Sequence, residues 1–365
     1  MVSRLLSSLD ARLARTRDPL QHACLSAERA TLLARQGRLD EASAELDRIR
    51  ARYASKPNAL VTAWVCLGEG MVAYFGSFGP NARDRIQRAL ALSGACQAKS
   101  VAALSSAWLA QMDFANLDFE ALIQHVAFAL QETDADQHAP RARACLVAAE
   151  AFHWAERLDL AQPWYGRARQ HALAEGDQSM ISVLMHNMAW LRVAELRRRD
   201  AVGDSSESAY RQAKLGAESI HEFDGMAGIS SLDSLVPVLR AQVEILACNF
   251  EVALALLLEN FDKFLGSNLE RLRSALQADI AWCRLRLGDA EGAMLEAQHA
   301  VSAVASETHA DDRAMTFGRV ARIFAELGSV ADARSCELQA KAAWHEHRQR
   351  QEQLIPRLQE ALSNL

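Results

Sequence analysis

The side chains that could carry chemistry are few and scattered. Four histidines come first: His153, His186, His345 and His347. His345 and His347 stand two apart, and on a helix such positions do not share a face, so they do not chelate one ion. His153 adjoins Trp154 in an apolar run, where an imidazole packs or caps between helices as readily as it meets a ligand. The chain has no HExxH, no GxSxG and no glycine-rich phosphate loop. Its seven cysteines form no CxxC pair and sit among apolar neighbours in helical stretches, the pattern of buried, reduced thiols. No acid, base and nucleophile cluster in the sequence. The residues therefore predict no catalytic group, no metal site and no cofactor, and a non-enzymatic protein.

A surface is the better candidate. Glu150, His153, Trp154, His186, Asn187 and Trp190 form a mixed polar and aromatic group on two neighbouring helical stretches. Asn187 stands alone among Met185, His186, Met188, Ala189 and Trp190. An amide in such company needs a hydrogen-bond partner, and a ligand's backbone could supply it. Trp64, Trp108, Trp154, Trp190 and Trp282 all fall on first helices of the hairpins described below, and Trp and Arg are the residues that most often anchor interfaces. The competing reading is that these rings fill gaps between long helices.

The elements that hold these residues are repeats. Gln36-Gly37-Arg38-Leu39-Asp40-Glu41-Ala42, Leu287-Gly288-Asp289-Ala290-Glu291-Gly292-Ala293 and Leu327-Gly328-Ser329-Val330-Ala331-Asp332-Ala333 each read as the turn of a helical hairpin. The Ala opening each second helix recurs as Ala42, Ala82, Ala121, Ala161, Ala209, Ala253, Ala293 and Ala333, in steps of 40, 39, 40, 48, 44, 40 and 40. A second small residue stands twelve positions earlier: Ala30, Gly70, Ala149, Ala241, Ala281 and Ala321, with Ala110 and Ala189 if a gap and an insertion are allowed. Small side chains at matched places let paired helices cross closely. The spacing predicts an all-α chain: an N-terminal helix in residues 1–17, about eight hairpins over 18–345, and a C-terminal capping helix over 346–365. The fifth unit, about 178–231, is irregular. It carries an insertion at Arg199–Ser206 and a linker, Asp224–Ser231, with Gly225 and Gly228. Pro356 is read as the one proline inside a helix.

These turns resemble those of the tetratricopeptide repeat, and Tyr165 and Ala168 follow that family's later aromatic and small positions. The repeat of about 40 residues is longer than the usual 34 and is similar to long-helix relatives in bacterial sensors and regulators. The resemblance implies an α-α superhelix, a solenoid whose first helices line a concave groove. Carried over by register, the groove holds Trp64, Met71 and Tyr74, then Glu150, His153 and Trp154, then His186 and Trp190 with Asn187 beside them. It continues with Gln242, Trp282, Arg286 and Arg322. The implied function is a scaffold that binds a protein or peptide segment. The alternative is a signalling sensor array that takes a small effector and changes curvature at its fifth unit.

Charge and composition exclude other classes. The net charge of −6 is spread over both signs, with no basic stripe for nucleic acid. Arg197-Arg198-Arg199, followed by Asp200, reads as a solvated turn. No apolar run approaches a membrane span, and Met1–Thr16 is a poor signal peptide. With the thiols, this predicts a cytoplasmic chain that does not engage a membrane. Leu354, Leu358, Leu362 and Leu365 share one face of the tail. They cap the eighth unit or, in the other reading, pair a homodimer.

Overall fold

A computed structural model describes residues 3–77, 79, 81–201, 207–265, 269–304, 309–363 and 365. Among them regular structure is helical throughout, with seventeen α-helices, one 3-10 turn (Glu270–Leu272) and no strand. Helix α1 (Arg4–Arg15) is followed by α2 (Pro19–Arg35) and α3 (Leu39–Tyr53), α4 (Ala59–Ser77) and α5 (Asn81–Ala95), α6 (Lys99–Ala115) and α7 (Phe119–Gln131), and α8 (His138–Trp154) and α9 (Leu158–Glu175). Then come α10 (Gln178–Ala201), α11 (Glu207–Ala227), α12 (Val236–Leu246), α13 (Phe250–Leu265), α14 (Arg273–Arg286), α15 (Ala290–Ser302), α16 (Ala310–Glu326) and α17 (Val330–Leu362).

The chain packs as two compact units. The first is Met1–Asn187 with Glu222–Leu232 and Leu354–Leu365, and the second is Met188–His221 with Asp233–Gln353. Within each, the repeat architecture holds. The second helix of one hairpin packs against the first helix of the next, as α3 does on α4, α5 on α6 and α7 on α8 in the first unit. In the second unit α13 packs on α14 and α15 on α16. First helices also pack on first helices, α2 on α4, α6 on α8 and α14 on α16.

One turn is used again and again. At Gly37, Gly288 and Gly328 the backbone enters the left-handed region, with φ of 86°, 86° and 82°. The following N–H then reaches back to the preceding helix: Arg38 to the Leu33 carbonyl (2.9 Å), Asp289 to Arg284 (2.9 Å), Ser329 to Phe324 (2.8 Å). Leu117, Glu156 and Cys248 take the same conformation without glycine, with the same bonds from Asp118 to Asp113, Arg157 to Phe152 and Asn249 to Glu244, each 2.9 Å. This motif satisfies carbonyls that a helix end leaves open. The next helix starts on a cap: Asp118 accepts from Ala121 N (3.2 Å), and Asp289 from Gly292 N (2.9 Å).

The turns also correct the register. Five residues beyond each left-handed position lie Ala42, Leu122, Ala161, Ala253, Ala293 and Ala333, all buried. Leu122, not the half-buried Ala121, therefore opens the third second helix, and Ala110 falls twelve residues before it with no gap. In α11 the buried trio is Ala213, Ala217 and Ile220, matching Ala42, Leu46 and Ile49 in α3. The position assigned to Ala209 belongs to Ala213, and the side chain of Ala209 lies outside the described residues. The small positions do what close crossing requires: a Cβ on Gly70 would stand 2.5 Å from Ile86 Cγ1 and 3.2 Å from the Ala82 carbonyl oxygen.

Several expectations change. Pro163 lies inside α9 on its exposed side, so Pro356 is not the one helical proline. The expected linker at Asp224 is helical through Ala227; Gly225 continues α11, and the left-handed residue is Gly228. Gly tolerates a helix interior at a cost of about 1 kcal/mol, and the buried Asp224 and Ala227 hold that last turn. Phe78 and Pro80 of the second turn, and Val202–Ser206 of the insertion, lie outside the described residues. Cys248 is exposed and sits in a turn, not in a helix. The segment Ala59–Gly76 of α4 is long and apolar enough to cross a membrane by length and composition, with mean hydropathy 1.4. Half of it is buried, with Val61, Trp64, Leu67 and Met71 in the core of the first unit.

The first unit also departs from a stack in which each repeat touches only its neighbours. Ser230 N–H donates to the Gln36 carbonyl (3.2 Å), and a Cβ on Gly37 would strike Ser230 Oγ at 2.3 Å. Leu354, Leu358 and Leu362 are buried, and the segment that holds them belongs to this unit; Arg357 pairs with Glu120 there.

Candidate functional site

In the first unit most of the expected groove residues are enclosed, while Tyr74 and Asn187 are half-buried. Arg143 of α8 lies with its guanidinium 4.0 Å from the Trp108 ring centroid and donates from Nη1 to Gln111 Oε1 (3.2 Å). Gln111 Nε2 donates to Glu150 Oε2 (3.2 Å), and Asn187 Nδ2 donates to Glu150 Oε1. Arg35, at the end of α2, pairs with Asp177 at the start of α10 (2.7 Å). Burial raises the Glu150 carboxyl, opposed by Asn187, Arg143 and Gln111. Burial also drives Arg143 down to about 10, helped by Arg35. Asn187 finds a partner inside the protein in Glu150 of α8. Arg143 Nη2 and Arg35 Nε are enclosed without a hydrogen-bond partner, so this network is not fully satisfied.

The aromatic residues of that unit behave likewise. Trp64 is in the core, and Tyr74 meets Trp108 edge-on at 5.7 Å between centroids. Trp154 packs on Phe119 at 5.0 Å, and the His153 Nδ1 lies 3.0 Å from the Tyr165 hydroxyl. His186 is 3% exposed, and burial drives its pKa down to about 4, so the ring is neutral.

The second unit has a small cleft of about 50 Å³. Its walls come from α10, α12, α14 and α16, the first helices of their hairpins: Trp190 and Arg197, Val238 and Gln242, Leu272 at the entry to α14 with Leu276, and Asp311 with Met315. Trp190 and Gln242 were expected in such a wall. Arg197 was not. The basic run Arg197–Arg199 is helical, and Arg197 turns inward because Asp279 holds it. Its Nη2 lies 2.7 and 2.9 Å from the two carboxylate oxygens. Arg319 pairs with the same carboxylate. Burial lowers the Arg197 pKa, with Asp279 opposing. Arg197 Nε and Asp311 Oδ1 are both enclosed without a hydrogen-bond partner.

No protein-family model matches the chain, and no curated protein matches it. The chemistry must be read from the residues alone.

Trp282 is buried in the core of this unit. The guanidinium groups of Arg286 and Arg322 lie over its ring at 4.2 and 4.6 Å. Arg286 also pairs with Glu326. His309, Asp311 and Asp312, at the start of α16, bring three possible cation ligands within 4.8 Å of one another, a grouping that the sequence reading did not identify. Asp279 could have been found: it is the lone acid in the apolar run Ala278-Asp279-Ile280-Ala281-Trp282, where a carboxylate must be paired. Asp311 had no such signal, because acids in a first helical turn are common.

Proposed function

We propose that the chain is a non-catalytic, tetratricopeptide-type scaffold whose hairpins follow one another as a superhelix, and that the second unit binds a peptide segment of another protein. The observation that carries this reading is the cleft on α10, α12, α14 and α16. It joins an apolar floor to two enclosed polar atoms that lack partners inside the protein, Arg197 Nε and Asp311 Oδ1. An extended segment offers both halves of what is missing. Its main chain or a basic side chain donates to Asp311, its carbonyl accepts from Arg197, and an apolar side chain packs on Trp190, Leu276 and Met315. Groups already desolvated in the free protein gain most from such partners. Arg286 and Arg322, exposed over the buried Trp282, extend the same kind of surface.

The test is selection of binders from a displayed library of random dodecapeptides on the full chain, followed by fluorescence anisotropy. The expected result is a peptide whose affinity falls at least tenfold in Trp190→Ala and in Asp311→Asn while circular dichroism stays the same. Peptides that bind both variants with the parental affinity, or a library that yields no binder, contradict the reading.

A further inference from the structure

The first unit holds a cavity of about 180 Å³ at the end of α7 and between α8 and α9. Its wall contains Arg141, Arg167 and His171, with Leu130, Cys145, Trp164 and Leu365, and no Asp or Glu side chain. Arg141 Nη1 donates to the Thr133 carbonyl (2.8 Å) and the Leu130 carbonyl (3.3 Å), which fixes the guanidinium over the end of α7. Its Nε is enclosed and has no hydrogen-bond partner. The Arg167 guanidinium lies 4.4 Å from the Trp164 ring centroid. No carboxylate pairs with either arginine among the described residues.

Histidines add to the same corner. His171 Nδ1 stands 3.0 Å from His138 Nδ1, so one ring donates its proton to the other. The His171 pKa is lowered first by burial and then by Arg141, His138 and Arg167, which reports how positive the corner is. Glu175 is the acid that acts on His138, and it is not in the cavity wall. Cys145 adds no negative charge, since burial drives its thiol up to about 12. Concave sites that gather cations concentrate anions, and a fixed guanidinium suits an oxyanion's paired oxygens.

We propose that this cavity binds a small organic oxyanion, a carboxylate or phosphate on a compact apolar body. Arg141 and Arg167 hold the charged head, and His171 adds a donor. Trp164 and Leu130 take the body. The volume is below the roughly 300–1,000 Å³ of drug-sized pockets, so the body is about one ring. The site is separate from the peptide cleft of the second unit and stands or falls independently of it.

Phenyl phosphate, benzoate and neutral benzyl alcohol are the probes, titrated into the full chain by calorimetry at pH 7 and fixed ionic strength. Saturable binding of at least one anion, and none of the alcohol, is expected; the tighter anion assigns the head group. Arg167→Gln should weaken that binding about tenfold with the thermal midpoint of the free protein close to the parent's, because Arg167 is exposed. His171→Gln should weaken it as well. Absence of saturable binding by either anion overturns the proposal. So does equal binding of the alcohol, or parental affinity in Arg167→Gln.

Discussion

Arg197 and Asp279, 82 residues apart in the sequence, meet through one guanidinium nitrogen that lies 2.7 and 2.9 Å from the two carboxylate oxygens. Arg319 joins the same carboxylate from α16. One acid therefore bridges two buried cations, one from α10 and one from α16. The triad fixes the wall of the cleft that holds Trp190, Gln242 and Asp311.

Removing that acid strands both arginines. Asp279→Ala is expected to cost about 3–5 kcal/mol, the range for breaking a buried pair by deleting one partner. Urea denaturation followed by circular dichroism reads this. Breaking the exposed Arg38–Glu41 pair should have little effect. Equal small losses at both places would show that Asp279 is not holding the two cations.

Left-handed backbone at non-glycine residues costs about 1–2 kcal/mol each. Gln97 (φ 55°) and Cys248 (φ 61°) are exposed and carry this cost. Gln97→Gly and Cys248→Gly should each stabilise by about 0.5–1 kcal/mol, after allowing for the entropy that glycine adds to the unfolded chain. Thermal melts check this, and a lower midpoint in either variant would contradict the assigned turn conformation.

Those turns show how far the sequence could be read. Gly37, Gly288 and Gly328 announce their turns because glycine alone adopts φ near 85° without strain. Leu117, Glu156 and Cys248 make the same turn silently. At Leu117 the alanine pattern alone points to Ala121, one residue before the buried Leu122. Helix positions were legible because apolar periodicity and Asp caps are local signals. The site was not. Trp154 and His186 have the residue types of a contact surface, yet they are buried. Asn187 reads as unpartnered until α8 places Glu150 beside it. Pairings between distant repeats, such as Arg35 with Asp177 or Arg197 with Asp279, leave no local trace.

Gly70 tests the close crossing of α4 and α5. An added Cβ would lie 2.5 Å from Ile86 Cγ1 and 3.2 Å from a backbone oxygen. Gly70→Ala is expected to destabilise by about 1–3 kcal/mol, although alanine is the better helix former. A more stable Gly70→Ala protein by urea denaturation would refute the tight crossing.

His186 predicts a pH dependence. Its native pKa of about 4 lies below the ordinary 6.5 because the ring is buried. Between those values the unfolded chain takes up a proton that the native ring refuses. Stability is therefore lost as pH falls from about 6.5 towards 4, by on the order of 3 kcal/mol at full extent. The buried Glu150 carboxyl and the half-buried Glu28 and Glu175, all raised by desolvation, act in the opposite sense. The comparison of parent with His186→Gln cancels them. The parent should lose more stability over that window than the variant, and parallel curves would contradict a buried neutral ring.

The central claim is that first helices of the second unit form the binding wall. Its most direct measurement is photocrosslinking of a selected peptide to chains carrying benzoylphenylalanine either at Met315, in the cleft, or at Leu295, exposed on α15. The account predicts a crosslink from position 315 and none from position 295. A crosslink from 295 with none from 315 would contradict it.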